Sequence, residues 1–404
     1  MLLKTLSRPT LGAALALFMF AAPHSLAGGP PPAPPAQVQP QRQTPPPPAP
    51  PRQEAQPRID LVFVLDTTGS MSGLIEGAKQ KIFSIASRIA QGKPTPRVRV
   101  GMVAYRDVGD EYVTRWTDLT DDLDGVFTHL RQLQADGGGD TPEHVGRGLG
   151  EAVSKLSWDP GRETMKLIFL VGDAPPAQRE KQWNFQHWVK RAAEQHIVVN
   201  TVRCGNDPET QTQWKYAAKL TDGMYESLAQ SGGMAAVATP YDAELARVNA
   251  ELARKTMYAG KKEAREANQA RAGQMAELPA EAAAERIQFL KTTRGRGKGS
   301  AAAAVSSAPA PVQGAVDLAA QPEALAGVAK EELPAELREL DAEGRTAKVK
   351  QLAEERKALE EKAAKLAAER DSWRAKNVAD KQDAFDTNVM KSVKAKAAAH
   401  GLSY

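Results

Sequence analysis
Four nearly continuous apolar runs, at residues 59–65, 98–104, 167–171 and 197–202, limit what this chain can fold into more than any other feature. Each is short and rich in Val, Ile, Leu and Phe, the pattern of a strand buried on both faces of a parallel sheet. Helical stretches lie between them, at residues 74–90, 123–133, 142–156 and 182–195, joined by turns bearing Gly and Asp. Alternating strand and helix predicts an α/β architecture, with helices on both faces of a mostly parallel sheet. Residues 113–116 follow the second run closely enough to predict an antiparallel edge strand. A last strand is expected at 224–228 and a closing helix at 242–257.

The flanking segments have other characters. Lys4 and Arg8 precede a short apolar run at residues 11–22, and Ser25-Leu26-Ala27 offers a small–x–small cleavage site. This pattern predicts a signal peptide over residues 1–27, because the run is shorter than the roughly 20 residues a spanning helix needs. The chain is therefore expected to be exported, to the periplasm or beyond the cell surface. Residues 28–57 are dominated by Pro, Ala and Gln and predict a disordered, extended linker. The sheet domain is expected over 58–257 and a helical extension over 258–292. A low-complexity linker at 293–332 precedes a helical region at 333–404. In that last region Leu352, Leu359, Leu366 and Trp373 recur every seven residues. Arg356 and Arg370 interrupt the heptad, so a coiled coil is poorly specified, and a helical hairpin or partner-docking helix fits as well.

Composition excludes several functions. One cysteine among 404 residues rules out an internal disulfide framework and any site built on several thiolates. The formal charge of +4, from 53 Lys+Arg against 49 Asp+Glu, is too even to argue for nucleic acid. There is no Gly-x-x-x-x-Gly-Lys-Ser/Thr loop, and Met71 holds the nucleophile position in Gly69-Ser70-Met71-Ser72-Gly73, so a hydrolase elbow fails.

The first run ends in Asp66-Thr67-Thr68-Gly69-Ser70-Met71-Ser72. Such a terminus places Asp66 at the sheet edge where ligands of open α/β sheets bind, with the hydroxyls of Thr68 and Ser70 turned toward the same point. One carboxylate and two hydroxyls form a hard, all-oxygen donor set suited to Mg²⁺, Mn²⁺ or Ca²⁺. Two further loops stand at the expected places: Gly137-Gly138-Gly139-Asp140-Thr141-Pro142-Glu143, and Gly172-Asp173-Ala174-Pro175-Pro176. Taken singly, each has a plainer use. Asp66 and Ser70, or Asp140 and Thr141, could cap the helices that follow, and Asp173 could sit in a turn.

With these three loops in order, the chain resembles the von Willebrand factor A family, whose metal-ion-dependent adhesion site opens with Asp-x-Ser/Thr-x-Ser. The resemblance covers residues 58–257 and implies a Rossmann-like domain. By that resemblance Asp66, Thr68 and Ser70 are metal ligands, Thr141 supplies the ligand of the second loop, with Asp140 as the second candidate, and Asp173 is the distal aspartate. It implies a divalent cation, Mg²⁺ first and Mn²⁺ or Ca²⁺ after it, and a protein partner that offers an acidic residue to the metal. No catalytic residue is expected. The alternatives are an envelope scaffold acting through the C-terminal helices and a regulatory module of an enzyme complex.

Nearby residues carry weaker expectations. His144 is read as a polar residue on a first helical turn, and Asp107, Asp110 and Glu111 as a solvated loop. Of Trp183 and Trp188, one is expected to pack on the sheet. Cys204 is read as a small buried hydrophobe.

Overall fold
In a computed structural model the chain is described at residues 56–139, 141–228, 238–294, 308–377 and 384–404. Residues 1–27, read from the sequence as a signal peptide, and nearly all of the Pro-rich segment lie outside these residues, as does Asp140. Glu54–Tyr404 forms one compact unit. Among the described residues no helix is long and apolar enough to cross a membrane.

The first apolar run becomes β1 (Arg58–Asp66), followed by α1 (Ser72–Ala90), β2 (Arg97–Tyr105) and β3 (Thr114–Thr120). Next come α2 (Leu123–Gln132), α3 (Val145–Lys155), β4 (Met165–Gly172), α4 (Phe185–Glu194) and β5 (Ile197–Cys204). The order continues with α5 (Pro208–Leu220), β6 (Tyr225–Leu228) and α6 (Asp242–Arg254). The sheet runs β3-β2-β1-β4-β5-β6, parallel throughout except for β3, which pairs antiparallel with β2 as the sequence predicts. β1 is central, and alternation along it explains its apolar continuity. Ile59, Leu61, Phe63 and Leu65 join one core with residues of α1 and α2, while Val62 and Val64 join a second core with α3, α4 and α5. Both faces are covered, so neither parity of the strand is free to be polar.

Two local readings change. No element is expected over 208–220 from the sequence, yet α5 forms there. Asp207 caps it by accepting from Thr210 N at 2.6 Å, Pro208 occupies the first turn, and Trp214 is fully buried, its ring 5.8 Å from that of Phe185. Asp-Pro at a helix start was the available signal. The helix expected from Pro142 begins instead at Val145, with His144 at its N-cap position, because residues 141–143 are held in the loop described below.

Beyond α6 the chain folds back on the sheet domain. It runs through β7 (Tyr258–Ala259), α7 (Lys262–Ala276), α8 (Ala280–Arg294) and β8 (Val316–Asp317), then α9 (Ala335–Arg338), α10 (Ala342–Asn377) and α11 (Ala384–Ala397). α8 packs on α1 and α6, α10 on α6 and α8, and α11 on α1. Within the span read as a linker, β8 pairs with β7, and Leu318 is fully buried. The end of the chain is tied down as well: Lys93 and Ser403 exchange backbone hydrogen bonds, and Tyr404 Oη donates to Ile89 O at 2.7 Å.

The face α10 buries is not its leucine repeat. Val349, Arg356, Glu360, Ala363, Ala367 and Arg370 are buried, whereas Leu352, Leu359 and Leu366 flank them half-buried. The two arginines that interrupt the heptad are the polar anchors of this face. Arg356 pairs with Asp317 and Glu360, and Arg370 pairs with Asp242 and Glu285. Arg370 and Arg374 hold the Glu285 carboxyl down to about 2 against the cost of burial.

Candidate metal site
The sheet order reverses direction across β1, with β2 on one side and β4 on the other. Ligands of open α/β sheets bind at such a switch point, beyond the carboxyl ends of the strands. Asp66 ends β1 there, and Asp173 follows the last residue of β4. Asp66 is fully buried. Its Oδ1 accepts from Thr68 N at 2.9 Å and from Thr68 Oγ1 at 2.7 Å, and Thr68 Oγ1 lies 3.1 Å from Ser70 Oγ. These bonds fold residues 66–70 into a tight turn that gathers one carboxylate and two hydroxyls. Thr68 is buried and Ser70 exposed, so the cluster opens outward through Ser70. Neither Asp66 nor Ser70 caps a helix: the caps of the short 3-10 turn at Gly69–Met71 and of α1 use no side chain.

The glycine loop lies directly over this turn. Gly69 N donates to Gly137 O at 3.2 Å, and Asp136 N to Thr67 O at 3.2 Å. Gly138 adopts φ +71°, and a Cβ there would stand 2.8 Å from Thr68 Cβ and 3.0 Å from Glu143 Oε1. Only glycine satisfies both the backbone and the space. Gly138→Ala is therefore expected to cost about 1–3 kcal/mol in denaturant unfolding and to weaken divalent-cation affinity in calorimetry, because Thr68 must move.

Residues 141–143 are pinned to the loop after β4. Glu143 N donates to Pro175 O at 3.1 Å, and Ala177 N donates to Glu143 O at 2.7 Å. Thr141, exposed, is thus carried on the same rim as Asp173, which is half-buried. α3 gains no side-chain cap from this loop.

The rim concentrates negative charge. Burial first, and Asp173 second, push the Asp66 carboxyl up to about 7. Asp66 Oδ2 is buried without a well-formed hydrogen bond, although the Tyr105 hydroxyl, which reaches Val171 O at 3.4 Å, bears on this carboxylate. Tyr105 can approach because Gly172 ends β4: a Cβ at Gly172 would stand 2.2 Å from the Tyr105 hydroxyl and 3.2 Å from Asp66 Oδ2. Glu143 adds a carboxylate that the sequence reading did not single out. It is 3% exposed, and burial followed by repulsion from Asp66, Asp107, Asp110 and Asp173 pushes it up to about 8.

A buried carboxylate with an unsatisfied oxygen, amid like charges, is a place where a cation offsets a desolvation cost. Among the described residues no three His, Cys, Asp or Glu side chains converge as a metal-binding group. The donors that do converge are one carboxylate and two hydroxyls, with Asp173 and Thr141 on the same rim. That set fits a hard, oxygen-seeking divalent ion.

Of the three acids read as a solvated loop, Glu111 is exposed, while Asp107 and Asp110 are built into the site's support. Asp107 is 1% exposed and pairs with Arg179. Asp110 accepts from Gly138 N and Asp107 N, at 3.1 and 3.0 Å, fixing the glycine loop. Arg106, also buried, donates to Thr67 O at 3.1 Å and Gln134 O at 2.8 Å, and stacks on Tyr112. His144 is fully buried, with Nε2 3.3 Å from Glu180 Oε1. Trp183 and Trp188 stack on each other, 5.8 Å between centroids, both half-buried. Cys204 is buried and free, and burial raises its thiol.

Residues 60–240 match the von Willebrand factor A domain family. Among curated proteins, von Willebrand factor A domain-containing protein 7 of Rattus norvegicus is 39% identical over 120 residues, 30% of this chain and 12% of that protein. Alpha-protein kinase vwkA of Dictyostelium discoideum is 25% identical over 119 residues, 29% of this chain and 18% of that protein. The matches thus span less than a fifth of either relative. Among solved structures, a von Willebrand factor type A protein from Catenulispora acidiphila is 16% identical, over 43% of this chain and 39% of that one, with a TM-score of 0.34.

Proposed function
Residues 60–240 being a von Willebrand factor A domain, a kind of domain that generally mediates protein–protein interaction, we propose that this chain is an exported, non-enzymatic binding protein whose capture of a partner depends on a divalent cation. Asp66, Thr68, Ser70, Thr141 and Asp173 would hold the ion, with Asp140 as the second candidate from its loop. Mg²⁺ is the first choice, then Mn²⁺ or Ca²⁺. The ion supplies positive charge with a coordination position open to an acidic residue of the partner. The observation that carries the proposal is Asp66: a fully buried carboxylate with one oxygen lacking a well-formed hydrogen bond, beside two hydroxyls that lead to the surface. Export rests on the pattern of residues 1–27.

The proposal puts the partner at this rim rather than at the C-terminal helices; in support, α10 packs its buried face on α6 and α8 of the same chain. The test is calorimetric titration of the mature full-length chain with Mg²⁺, Mn²⁺ and Ca²⁺, beside Asp66→Ala. Saturable one-site binding, lost in the variant, is expected. Failure of the wild type to bind any of the three ions would sink the proposal.

A further inference from the structure
A cavity of about 530 Å³ lies where α1, α8, α10, α11 and the chain's last residue meet. Its volume falls within the range of small-molecule sites. Arg88, Lys93, Arg370, Arg374 and Lys394 line it, against two carboxylates, Glu285 and Asp371. Internal ion pairs offset the two α10 arginines, so the excess rests on Lys93 and Lys394, which form no ion pair among the described residues. Arg370 and Arg374 both pair with the same Glu285, and Arg370 Nε also donates to Asp242 at 2.7 Å. Arg370 is 1% exposed, and its Nη1 is a buried donor with no acceptor among the described residues. A buried guanidinium nitrogen left without an acceptor is costly, and an anion in the cavity would relieve that cost.

We propose that this cavity binds a small phosphate-bearing anion of at least two negative charges. Arg370 Nη1 and, one turn further along α10, the Arg374 guanidinium supply donors suited to phosphate oxygens, while Lys93 and Lys394 add point charges. The site is separate from the metal rim. Lys93 follows the far end of α1, whose first turn abuts residues 66–70, and 19 residues of helix span about 28 Å. Since α10 and α11 form its walls and the sheet domain's α1 another, a bound anion would hold the C-terminal helices against that domain.

Inorganic pyrophosphate, and inorganic phosphate beside it, would be titrated into the full chain in chelator, without divalent cations. Lys93→Ala/Lys394→Ala is the informative variant, because both side chains are exposed and Lys93 bonds Ser403 through its backbone alone. Saturable pyrophosphate binding is expected, weakened at least about tenfold in the double variant. Binding should be unchanged in Asp66→Ala and in a control pair of exposed lysines, Lys190→Ala/Lys219→Ala. No saturable binding by the wild type would overturn the proposal. So would an equal loss in the control pair, which would mark a diffuse charge effect.

Discussion

Asp66→Asn is expected to raise the melting temperature of the metal-free protein at pH 8 while abolishing its response to Mg²⁺. The two halves of this result have one cause. Burial, with Asp173 adding to it, lifts the Asp66 carboxyl from 3.8 to about 7. A carboxyl with a raised folded value costs nothing below its unfolded value of 3.8. The cost grows as pH climbs toward 7 and is fully present above it. At pH 8 the ionised side chain therefore destabilises the metal-free fold by about 2–4 kcal/mol, at 1.36 kcal/mol per unit. Asparagine removes the charge and keeps an oxygen to accept from Thr68 N and Oγ1. On the proposed reading a divalent cation would stabilise the wild type by binding the folded state, and the variant would have no charge to hold it. Thermal melts at pH 8, with chelator and with saturating Mg²⁺, should thus exchange the order of the two proteins. If Asp66→Asn melted well below wild type in chelator, the carboxylate would be structural in its own right and the cation reading would lose its physical basis.

The sequence showed this aspartate readily, because a strand buried on both faces is written as a continuous apolar run, and the residue that ends such a run lies at the sheet edge. Asp66, Thr68 and Ser70 are close in sequence, so their convergence needed only a tight turn. The partners of that turn are distant and have no such signature. Glu143 reads as one more acid near a helix start, and only the backbone pairing of residues 143 and 175–177 turns it toward the rim. Asp107 and Asp110 look like solvated loop residues until Arg179 and the amide of Gly138 are placed against them. The C-terminal half misled for a related reason. Leucine spacing on α10 suggested an apolar seam, whereas the buried face is anchored by Arg356 and Arg370, whose carboxylate partners come from α6, β8, α8 and α10 itself. A buried arginine is indistinguishable in sequence from an exposed one, because what makes it tolerable inside is a carboxylate many residues away.

The same logic makes Arg286→Met the most destabilising single change expected outside the rim. Arg286 is fully buried on α8. Its Nε and Nη2 donate to the two oxygens of Asp124 on α2, at 2.7 and 2.6 Å, and its Nη1 donates to Asn249 on α6 at 2.8 Å. One side chain thus joins three helices, two of the sheet domain and one of the segment after it. Methionine fills much of the volume but leaves Asp124, 2% exposed, without its bidentate partner. Breaking a buried pair in this way costs about 3–5 kcal/mol, mostly because the remaining charge loses its bidentate partner in low dielectric. Removing both charges is a different matter. Asp124→Leu/Arg286→Met exchanges the pair for apolar contact and should recover most of the loss, since two charges no longer need to be desolvated. Urea unfolding of wild type, Asp124→Leu, Arg286→Met and the double variant closes the cycle, and a coupling of several kcal/mol is expected. Mg²⁺ affinity should be the same in all four, because Arg286 and Asp124 contribute no ligand to the rim. A single variant that lost under about 1 kcal/mol would mean that water or a neighbouring group already compensates Asp124, and that α8 is held to the sheet domain by its apolar contacts with α1 and α6 alone.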